Sequence, residues 1–318
     1  MIMVTGAAGF IGSAIVAMLN AKGINEILCV DKLETREKWK NLLNKRFLDI
    51  IDYDQLFIYM DTYKKRAVAM RDQDIVIHMG ACTSTTEQDM DFLIDKNYRF
   101  SQELYRLCIN KNLRFLYASS ASTYGDGAHG FSDHNMDLAP LNKYGYSKHL
   151  FDIWQLNQLE KPMQCVGLKL FNVYGPNEYH KDQMGSVIYK FYIQAESNGY
   201  IDIYGTNGMQ SRDFVYIKDV TSVVWHFIQH PEYNGIFNVG SGQQTDFNTI
   251  ARLIFTYSRK PIQIRYVQMP ADLKDVYQWH TLANLSKLQK TGYSTQFYSI
   301  DKGIREYVED YLINHKYL

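Results

Sequence analysis

"MIMVTGAAGFIGSAIV", residues 1–16, is the stretch that decides the fold. It places Gly6, Gly9 and Gly12 between an apolar run and a segment whose apolar residues recur at helical spacing over 11–22. Such a change of period predicts a strand followed by a helix. Glycines at the junction allow a tight turn and a close approach of strand and helix. The stretch therefore predicts a strand–turn–helix unit.

The same alternation continues through the first half of the chain. The apolar runs "EILCVD", "DIVIHMGA" and "RFLYASS" predict strands, the stretch 89–111 predicts a long helix, and "CVGLKLFNVYG" predicts a further buried strand. Strands that alternate with helices form parallel sheets with right-handed crossovers. The predicted fold class is therefore α/β, a Rossmann doubly wound parallel sheet.

The regular alternation loosens after Pro176, which predicts two domains. Residues 1–172 form the predicted Rossmann domain, and residues 173–318 form a smaller α/β substrate-binding domain that ends in a helix at about 300–315. The pieces "RDFVYIKDV" and "GIFNVGSG", near 212–240, are expected to return to the sheet of the first domain.

Charge and cysteine content exclude several classes of function. Lys plus Arg equals Asp plus Glu at 34 each, so no overall field attracts nucleic acid or an anionic membrane. The four cysteines show no C-x-x-C spacing, which argues against zinc and against a disulfide framework. No apolar run approaches a membrane span, and no basic region precedes the first apolar stretch. We expect a cytoplasmic protein with no bound metal.

The glycine turn also predicts a ligand. Backbone amides in such a turn approach a pyrophosphate closely, and the helix N-terminus adds partial positive charge. Asp31 ends the next predicted strand, where a carboxylate reaches the ribose of a dinucleotide. Asp31 favours a free 2′-hydroxyl, whereas Lys32, Arg36 and Lys38 could neutralise a 2′-phosphate. These residues predict a dinucleotide site and leave NAD and NADP open.

A second group of residues has the composition of a catalytic site. In "NKYGYSKHL", residues 142–150, Tyr144 and Lys148 lie four positions apart and share one helix face, whereas Tyr146 is rotated away. Ahead of them "RFLYASSASTYGDG" ends a strand in hydroxyl side chains, at the sheet edge where ligands bind. The alternative interpretation of the Tyr-x-x-x-Lys pattern is a solvated helix face. The hydroxyl residues are Ser119, Ser120, Ser122 and Thr123.

Together, the glycine turn, the serine-rich strand end, Tyr144-x-x-x-Lys148 and "LFNVYGP" resemble the extended short-chain dehydrogenase/reductase family, whose members modify nucleotide-activated sugars. The combination of "GACTSTTEQD", "FNVYGPNEYHKDQMGS" and "RDFVYIKDV" is similar to the heptose 6-epimerases of this family. The resemblance extends over the whole chain. It implies an isomerase that inverts C6″ of an ADP-heptose through transient oxidation, for the lipopolysaccharide core.

The resemblance also implies the catalytic residues. Tyr144 is expected to take the proton of the 6″-hydroxyl, with Ser120 hydrogen-bonded to the same oxygen. The charges of Lys148 and of the oxidised nicotinamide are expected to hold the phenol ionised. Hydride must return to the opposite face of the ketone, so a second proton carrier is useful there. Lys181, in "YHKDQ", matches that position. From the residues alone, Lys181 is one of many surface lysines.

The cofactor contacts implied by the resemblance favour NADP, with NAD as the alternative. They are Gly6, Gly9, Phe10, Ile11, Gly12, Asp31, Lys32, Lys38, Met79, Gly80, Ala81, Cys82, Thr83, Asn97, Tyr144, Lys148, Val173 and Lys181.

The implied substrate contacts depart from the family pattern in places. They are Ser120, Asn172, Gln183, Lys190, Tyr204, Gly205, Thr206, Asn207, Arg212 and Tyr277. Arg212 suits a bidentate grip on a diphosphate, and its alternative is a buried ion pair with Asp213 or Asp219. Gln183, Lys190 and Val276 differ from the residues expected there, which leaves the exact sugar nucleotide open.

Three other functions are compatible with parts of this pattern. A UDP-hexose 4-epimerase keeps Tyr144 and Lys148 but has no need of Lys181. A 4,6-dehydratase would carry Thr-Asp-Glu where this chain has Ser120, Ala121 and Ser122. A non-catalytic NAD(P)-binding regulatory module has no reason to keep the Tyr, Lys and Ser together. The family resemblance also implies a homo-oligomer, often a pentamer.

Overall fold

A computed structural model describes residues 1–34, 37–62, 70–205, 207–208, 210–270 and 277–318, apart from the side chain of Gln183. Twelve strands lie in these residues. They are β1 (Ile2–Thr5), β2 (Ile27–Val30), β3 (Asp49–Ile51), β4 (Ile75–His78), β5 (Arg114–Ser120), β6 (Gln164–Leu170), β7 (Asn172–Tyr174), β8 (Ile201–Tyr204), β9 (Ser211–Tyr216), β10 (Gly235–Val239), β11 (Gln244–Asp246) and β12 (Ile264–Val267).

The described residues include the helices predicted near 11–22, 89–111, 142–150 and 300–315, together with others. The helices are α1 (Phe10–Ala21), α2 (Leu56–Thr62), α3 (Met90–Leu93), α4 (Phe100–Asn110), α5 (Lys143–Leu156), α6 (Val187–Asn198), α7 (Ile217–Gln229), α8 (Phe247–Tyr257), α9 (Ser286–Gln289) and α10 (Ile300–Glu306). The predicted helix at 89–111 consists of α3 and α4 joined by the π-helical stretch Ile94–Arg99. α10 continues as the π-helical stretch Tyr307–Leu312.

The central sheet has the order β10-β6-β5-β4-β1-β2-β3, with every neighbouring pair parallel. This arrangement confirms the predicted doubly wound fold. The direction of winding reverses between β1 and β4, and ligands of such sheets bind beyond the strand ends at this point. The glycine turn follows β1 and the segment "MGACT" follows β4, so two predicted cofactor segments meet there.

The second half of the chain contributes two small sheets. β9 lies between β7 and β11, and β8 pairs with β12. The expectation that 212–220 returns to the large sheet is therefore wrong, because β9 pairs outside it; Gly235–Val239 does join it, beside β6. The domain division at 172/173 stays a prediction. No helix in the described residues is long and apolar enough to cross a membrane.

Candidate active site

The glycine turn brings the ends of β1 and β4 into contact. Gly6 has a φ of 65°, and a Cβ atom there would lie 2.7 Å from the amide nitrogen of Gly80. A Cβ atom on Gly12 would lie 2.0 Å from the carbonyl oxygen of Gly6. Neither position can hold a larger residue without moving the backbone. Gly9 is the N-cap of α1, and no side chain caps this helix. Amides of its first turn are therefore available to an anion.

Asp31 lies just past β2, as predicted, and its carboxylate is held by three donors. One carboxylate oxygen accepts from the amide of Ala8 at 2.8 Å, and the other accepts from the amide of Lys32 at 2.8 Å and from Lys38 Nζ at 2.9 Å. Lys32 Nζ instead pairs with Asp54 at 2.9 Å. The structure thus brings Lys38 to the carboxylate of Asp31, whereas Arg36 lies outside the described residues.

A chain of buried hydrogen bonds supports the segment after β4. Thr5 Oγ1 lies 2.7 Å from His78 Nδ1 and accepts from the amide of Gly80 at 3.1 Å. His78 Nε2 lies 2.9 Å from the hydroxyl of Ser101. Burial and the charge of Lys148 lower the pKa of His78 to about 3, so this ring is neutral at physiological pH. The network fixes Met79 and Gly80 against the glycine turn.

Asn97 joins the same segment to the catalytic helix. It accepts from the amide of Cys82 at 2.8 Å and donates to the carbonyl of Cys82 at 3.0 Å and to the hydroxyl of Ser147 at 3.0 Å. Because Ser147 lies on α5 beside Lys148, Asn97 couples the loop that carries Ala81, Cys82 and the exposed Thr83 to this helix. Its structural partners give a physical reason for its predicted place beside the cofactor.

Tyr144, Lys148 and Ser120 are brought together, as predicted. Asn142 caps α5 by accepting from the amide of Gly145 at 2.8 Å, which sets the helix register. Tyr144 is buried and forms a side-chain hydrogen bond with Ser120. Lys148 Nζ donates to the carbonyl of Ala118 on β5 at 2.9 Å. Tyr146, by contrast, has 47% of its surface exposed.

Burial shifts the pKa values of both Tyr144 and Lys148. Burial raises the pKa of Tyr144, and the hydrogen bond with Ser120 only partly opposes that rise. Burial lowers the pKa of Lys148 to about 8, while the charge of Asp152 acts in the other direction. The ammonium group of Lys148 is engaged by a backbone carbonyl, and its predicted action on the phenol together with an oxidised nicotinamide stays a prediction. The phenol stays neutral near neutral pH until further positive charge enters the site.

A buried ion pair behind these residues was missed in the sequence. Lys169 Nζ on β6 lies 3.1 Å from a carboxylate oxygen of Asp152, and both side chains are completely inaccessible to solvent. Asp152 also accepts from the hydroxyls of Tyr117 at 2.9 Å and Ser119 at 2.6 Å. Lys169 further donates to Thr123 at 2.6 Å. The pair fixes α5 to the serine-rich end of β5. No sequence spacing signals this pair, because Asp152 lies on α5 and Lys169 on β6.

Lys181 lies in the 3₁₀ helix Tyr179–Met184, near the point where the glycine turn enters α1. Its ammonium nitrogen lies 5.9 Å from the ring centroid of Phe10, the first residue of α1. Burial lowers its pKa; the charge of Glu178 opposes this shift and that of Lys190 adds to it. Two predicted site lysines and one buried carboxylate therefore meet beside the cofactor turn. Glu178 itself accepts from the hydroxyl of Ser186 at 2.9 Å.

Arg212, on β9, is nine-tenths buried without a carboxylate partner among the described residues. Its guanidinium carbon lies 5.0 Å from the ring centroid of Tyr277, to which it is also hydrogen-bonded. The alternative of an ion pair is wrong for both carboxylates. Asp213 accepts from the amides of Ser241, Gly242 and Ala283, and Asp219 accepts from the amide of Tyr298.

The remaining substrate-side residues differ in their exposure to solvent. Asn172 donates to the carbonyl of Asp213 at 3.0 Å and to the hydroxyl of Thr281 at 3.0 Å, so its amide group holds β7 to β9. Tyr204 ends β8, Gly205 follows with a φ of 91°, and Asn207 is exposed. Val173 packs against the core. Thr206, Val276 and the side chain of Gln183 lie outside the described residues.

The crevice fits a dinucleotide. Only glycines leave room at the Gly6–Gly80 contact and under Gly12, the uncapped start of α1 suits a pyrophosphate, and Asp31 stands at the end of β2. No cluster of metal-ligating side chains is present in the described ranges, and the four cysteines are free thiols. The arrangement combines a nicotinamide-type cofactor seat with a tyrosine and two lysines, as in a site for reversible oxidation of an alcohol.

Comparison with known proteins places this site in a family. Residues 2–240 match the model of the NAD dependent epimerase/dehydratase family. A relative from Nitratidesulfovibrio vulgaris (strain DP4), named ADP-L-glycero-D-manno-heptose-6-epimerase, is 45% identical over 98% of each chain. A protein of the same name from Fusobacterium nucleatum is 41% identical over 98% of each chain. This chain belongs to the NAD dependent epimerase/dehydratase family, as its motifs predicted, and it is an isomerase.

Solved structures agree on the fold and include two kinds of epimerase. The Helicobacter pylori ADP-L-glycero-D-manno-heptose-6-epimerase superposes with a TM-score of 0.82 at 25% identity, covering 97% of this chain and 95% of that one. A UDP-N-acetylglucosamine 4-epimerase from Methanobrevibacter ruminantium M1 superposes with a TM-score of 0.83 at 26% identity, covering 99% and 98%. The fold alone therefore does not distinguish inversion at C6″ from inversion at C4.

Proposed function

We propose that this protein inverts C6″ of ADP-D-glycero-D-manno-heptose, giving ADP-L-glycero-D-manno-heptose, by transient oxidation with bound NADP. The observation that carries the proposal is the placement of two proton-transfer groups around one cofactor seat: Tyr144 with Ser120 on α5 and β5, and Lys181 above Phe10. Full-length relatives named for this reaction support it. An epimerase that oxidises and reduces the same carbon leaves no net redox change.

The two groups suit the two faces of the ketone. Tyr144 Oη takes the proton of the 6″-hydroxyl, while Ser120 orients the same oxygen. A nicotinamide cofactor held at Gly6, Gly80 and Asp31 would supply the acceptor and donor of the hydride. Lys181 then supplies a proton at the oxygen after the ketone has turned. Because burial and the charge of Lys190 lower its pKa, Lys181 releases a proton at lower pH than an exposed lysine does.

Substrate binding is assigned to the second half of the chain. A buried guanidinium without a carboxylate partner among the described residues is costly, so Arg212 is expected to receive an anionic ligand. Its planar group matches two oxygens of the diphosphate. Asn172, Lys190, Tyr204, Gly205, Asn207 and Tyr277 complete the proposed substrate contacts, with Gln183 and Thr206.

For the cofactor we favour NADP. Lys38 contacts Asp31 at 2.9 Å and can turn to a 2′-phosphate, whose charge the carboxylate alone would repel. NAD is the alternative, because family relatives of known structure hold NAD in their complexes. We further propose that the enzyme works as a homo-oligomer and supplies a heptose precursor of lipopolysaccharide.

The test is incubation of the purified protein with ADP-D-glycero-D-manno-heptose and catalytic NADP, followed by NMR assignment of the C6″ configuration. Appearance of the L-glycero epimer is expected, and a product mixture without it would reject the proposal. UDP-glucose and UDP-N-acetylglucosamine serve as parallel substrates, because the similarity to a 4-epimerase structure makes inversion at C4 the second candidate.

Substitution of Lys181 separates the two candidates. Lys181→Met should lower kcat for heptose inversion by about 100-fold or more, the usual contribution of a positioned proton carrier. A 4-epimerase uses Tyr144 alone, so the same variant would retain its kcat on a UDP-hexose. The matched control is Lys218→Met, at a partly exposed lysine that pairs with Glu306 and lies outside the proposed site.

A further inference from the structure

Asn177 has a left-handed backbone conformation, which is unusual for a residue other than glycine. It is completely buried, lies between β7 and the 3₁₀ helix of Lys181, and has a φ of 78°, in the left-handed region. Glycine adopts this conformation without strain, whereas asparagine is retained where its amide forms specific bonds. The side-chain amide of Asn177 is therefore expected to form specific hydrogen bonds.

Asn177 touches three separate parts of the chain. Its Nδ2 donates to the hydroxyl of Ser13 on α1 at 2.9 Å. Its Oδ1 accepts from the amide of Leu318 at 2.8 Å. Its main-chain carbonyl accepts from Asn41 Nδ2 at 2.9 Å. One buried residue thus ties the cofactor-binding helix, the segment 37–42 and residues 316–318 to the turn that carries Lys181.

Asn41 links the same turn directly to the glycine loop. Its amide nitrogen also donates to the carbonyl of Ala8 at 2.9 Å, so Ala8 and Asn177 share one donor group. Asn41 is 1% exposed, and breaking these bonds would leave buried carbonyls without partners. The distance between the glycine loop and the lysine-bearing turn is therefore set by a rigid bridge of one side chain.

Residues 316–318 close the arrangement from the other side. The hydroxyl of Tyr179 donates to the carbonyl of Lys316 at 2.8 Å, and Lys45 Nζ donates to the main-chain oxygen of Leu318 at 2.6 Å. The rings of Tyr179 and Tyr317 pack edge to face at 5.1 Å. Tyr179 is only two residues from Lys181, so these contacts restrain the lysine.

We propose that Asn41, Asn177 and residues 316–318 form a clasp that fixes Lys181 over the cofactor turn. Asn41 and Asn177 are positioning residues in this scheme, because they contact Lys181's turn and the glycine loop but not the reacting atoms. The catalytic part of the proposal rests on the function proposed above. Proton transfer depends steeply on alignment. The clasp therefore holds Lys181 in position for the second proton transfer, after Tyr144 has carried out the first.

The test compares Asn177→Gly with Asn20→Ala in the full-length protein. Glycine keeps the left-handed backbone of residue 177 and removes only the side-chain bonds. The matched control is Asn20, on α1, whose side-chain amide bonds to the main chain of residues 24 and 46, far from Lys181 in the chain. Acylation of individual lysines, followed by peptide mass spectrometry, measures access to Lys181 without any assay of turnover.

We expect Asn177→Gly to speed acylation of Lys181 several-fold, while the fully buried Lys169 stays protected as a report of global folding. We also expect kcat to fall by about 10- to 100-fold with little change in KM. In the double variant Asn177→Gly/Lys181→Met, kcat should equal that of Lys181→Met, because the clasp acts through the lysine.

Unchanged acylation and unchanged kcat in Asn177→Gly would overturn the proposal, and so would an equal response in Asn20→Ala. If Asn177→Gly does not fold, Tyr179→Phe removes a single bond of the clasp and should speed acylation of Lys181 by a smaller factor; no change would then overturn it. Faster acylation in a protein that inverts no heptose would support the clasp and reject the proposed function.

Discussion

The two proton-transfer groups of the site are built in different ways. Tyr144 lies on a capped helix, one turn from Lys148, and is joined to Ser120 at the end of a central strand. Lys181 lies in a short 3₁₀ helix in which Asp182 has a φ of 46°, and contacts from distant parts of the chain hold that turn. Regular elements position the first group, and irregular segments position the second.

Their electrostatic surroundings differ as well. Behind Tyr144 and Lys148, the buried pair of Asp152 and Lys169 balances its own charge. Around Lys181, burial lowers the pKa of the lysine, the charge of Glu178 opposes that shift, and the charge of Lys190 adds to it. The difference teaches that the tyrosine half is held by the sheet and its capped helix, whereas the lysine half is held by a few long-range bonds.

The largest effect is expected from removing the phenol. Tyr144→Phe should lower kcat by about 10⁴-fold, the upper range for a positioned acid or base, with cofactor affinity nearly unchanged. Steady-state kinetics and a dinucleotide binding titration measure the two quantities. Tyr146→Phe, at an exposed tyrosine two residues away, is the matched control and should keep wild-type kcat. Equal losses in both variants would contradict the assignment.

Breaking the buried pair tests the rigidity of the tyrosine half. Lys169→Met leaves Asp152 charged and unpaired in the interior, so the free energy of unfolding should fall by about 3–5 kcal/mol. Denaturant unfolding measures this change. Asp152→Asn added to Lys169→Met removes the stranded charge and should recover part of the loss. If Lys169→Met alone were as stable as the wild type, the pair would not stabilise this half of the site.

Burial of the charged Lys148 should lower the free energy of unfolding. Its pKa is about 8 in the fold against 10.5 in the unfolded chain, a difference of about 3 kcal/mol that opposes folding wherever the unfolded lysine is charged. Below about pH 8 this cost is complete, and it disappears as pH rises from there to about 10.5. Lys148→Met loses the hydrogen bond to Ala118, so its net gain at pH 7 should be about 2 kcal/mol.

The pH dependence provides the control for that prediction. Stability of the wild type relative to Lys148→Met should rise between pH 8 and about 10.5, because the folded lysine releases its proton first in that window. Unfolding curves at several pH values measure it. A constant difference across the window would mean that the ammonium is not destabilised by burial.

The smallest effect is expected at Lys38, which lies outside both the tyrosine half and the lysine half of the site. Lys38→Ala should weaken NADP binding by about 10-fold through loss of one charge-assisted bond and leave NAD binding nearly unchanged. Binding titrations with both dinucleotides measure the ratio. Lys40→Ala, at a neighbouring lysine that pairs with Glu37, is the control. Equal weakening of NAD and NADP would remove the argument for a 2′-phosphate.

Local patterns determined the first half of the site by themselves. Tyr144 and Lys148 share a helix face because the period of the helix is 3.6 residues, and Asp31 ends a strand because its apolar run stops there. The parallel sheet followed from the alternation of strands and helices, and the resemblance of the motifs to the family was confirmed by comparison with full-length relatives.

Tertiary structure alone decided the contacts between distant segments in both halves of the site. The pairing of Asp152 with Lys169, the neutral His78 between Thr5 and Ser101, and the bonds of Asn177 to Ser13 and Leu318 join residues far apart in the chain. Spacing along a sequence encodes contacts within one helix or strand, but not which distant segments will meet. The sequence therefore determined the strand–turn–helix seat and its tyrosine, while packing decided where Lys181 stands and what holds it there.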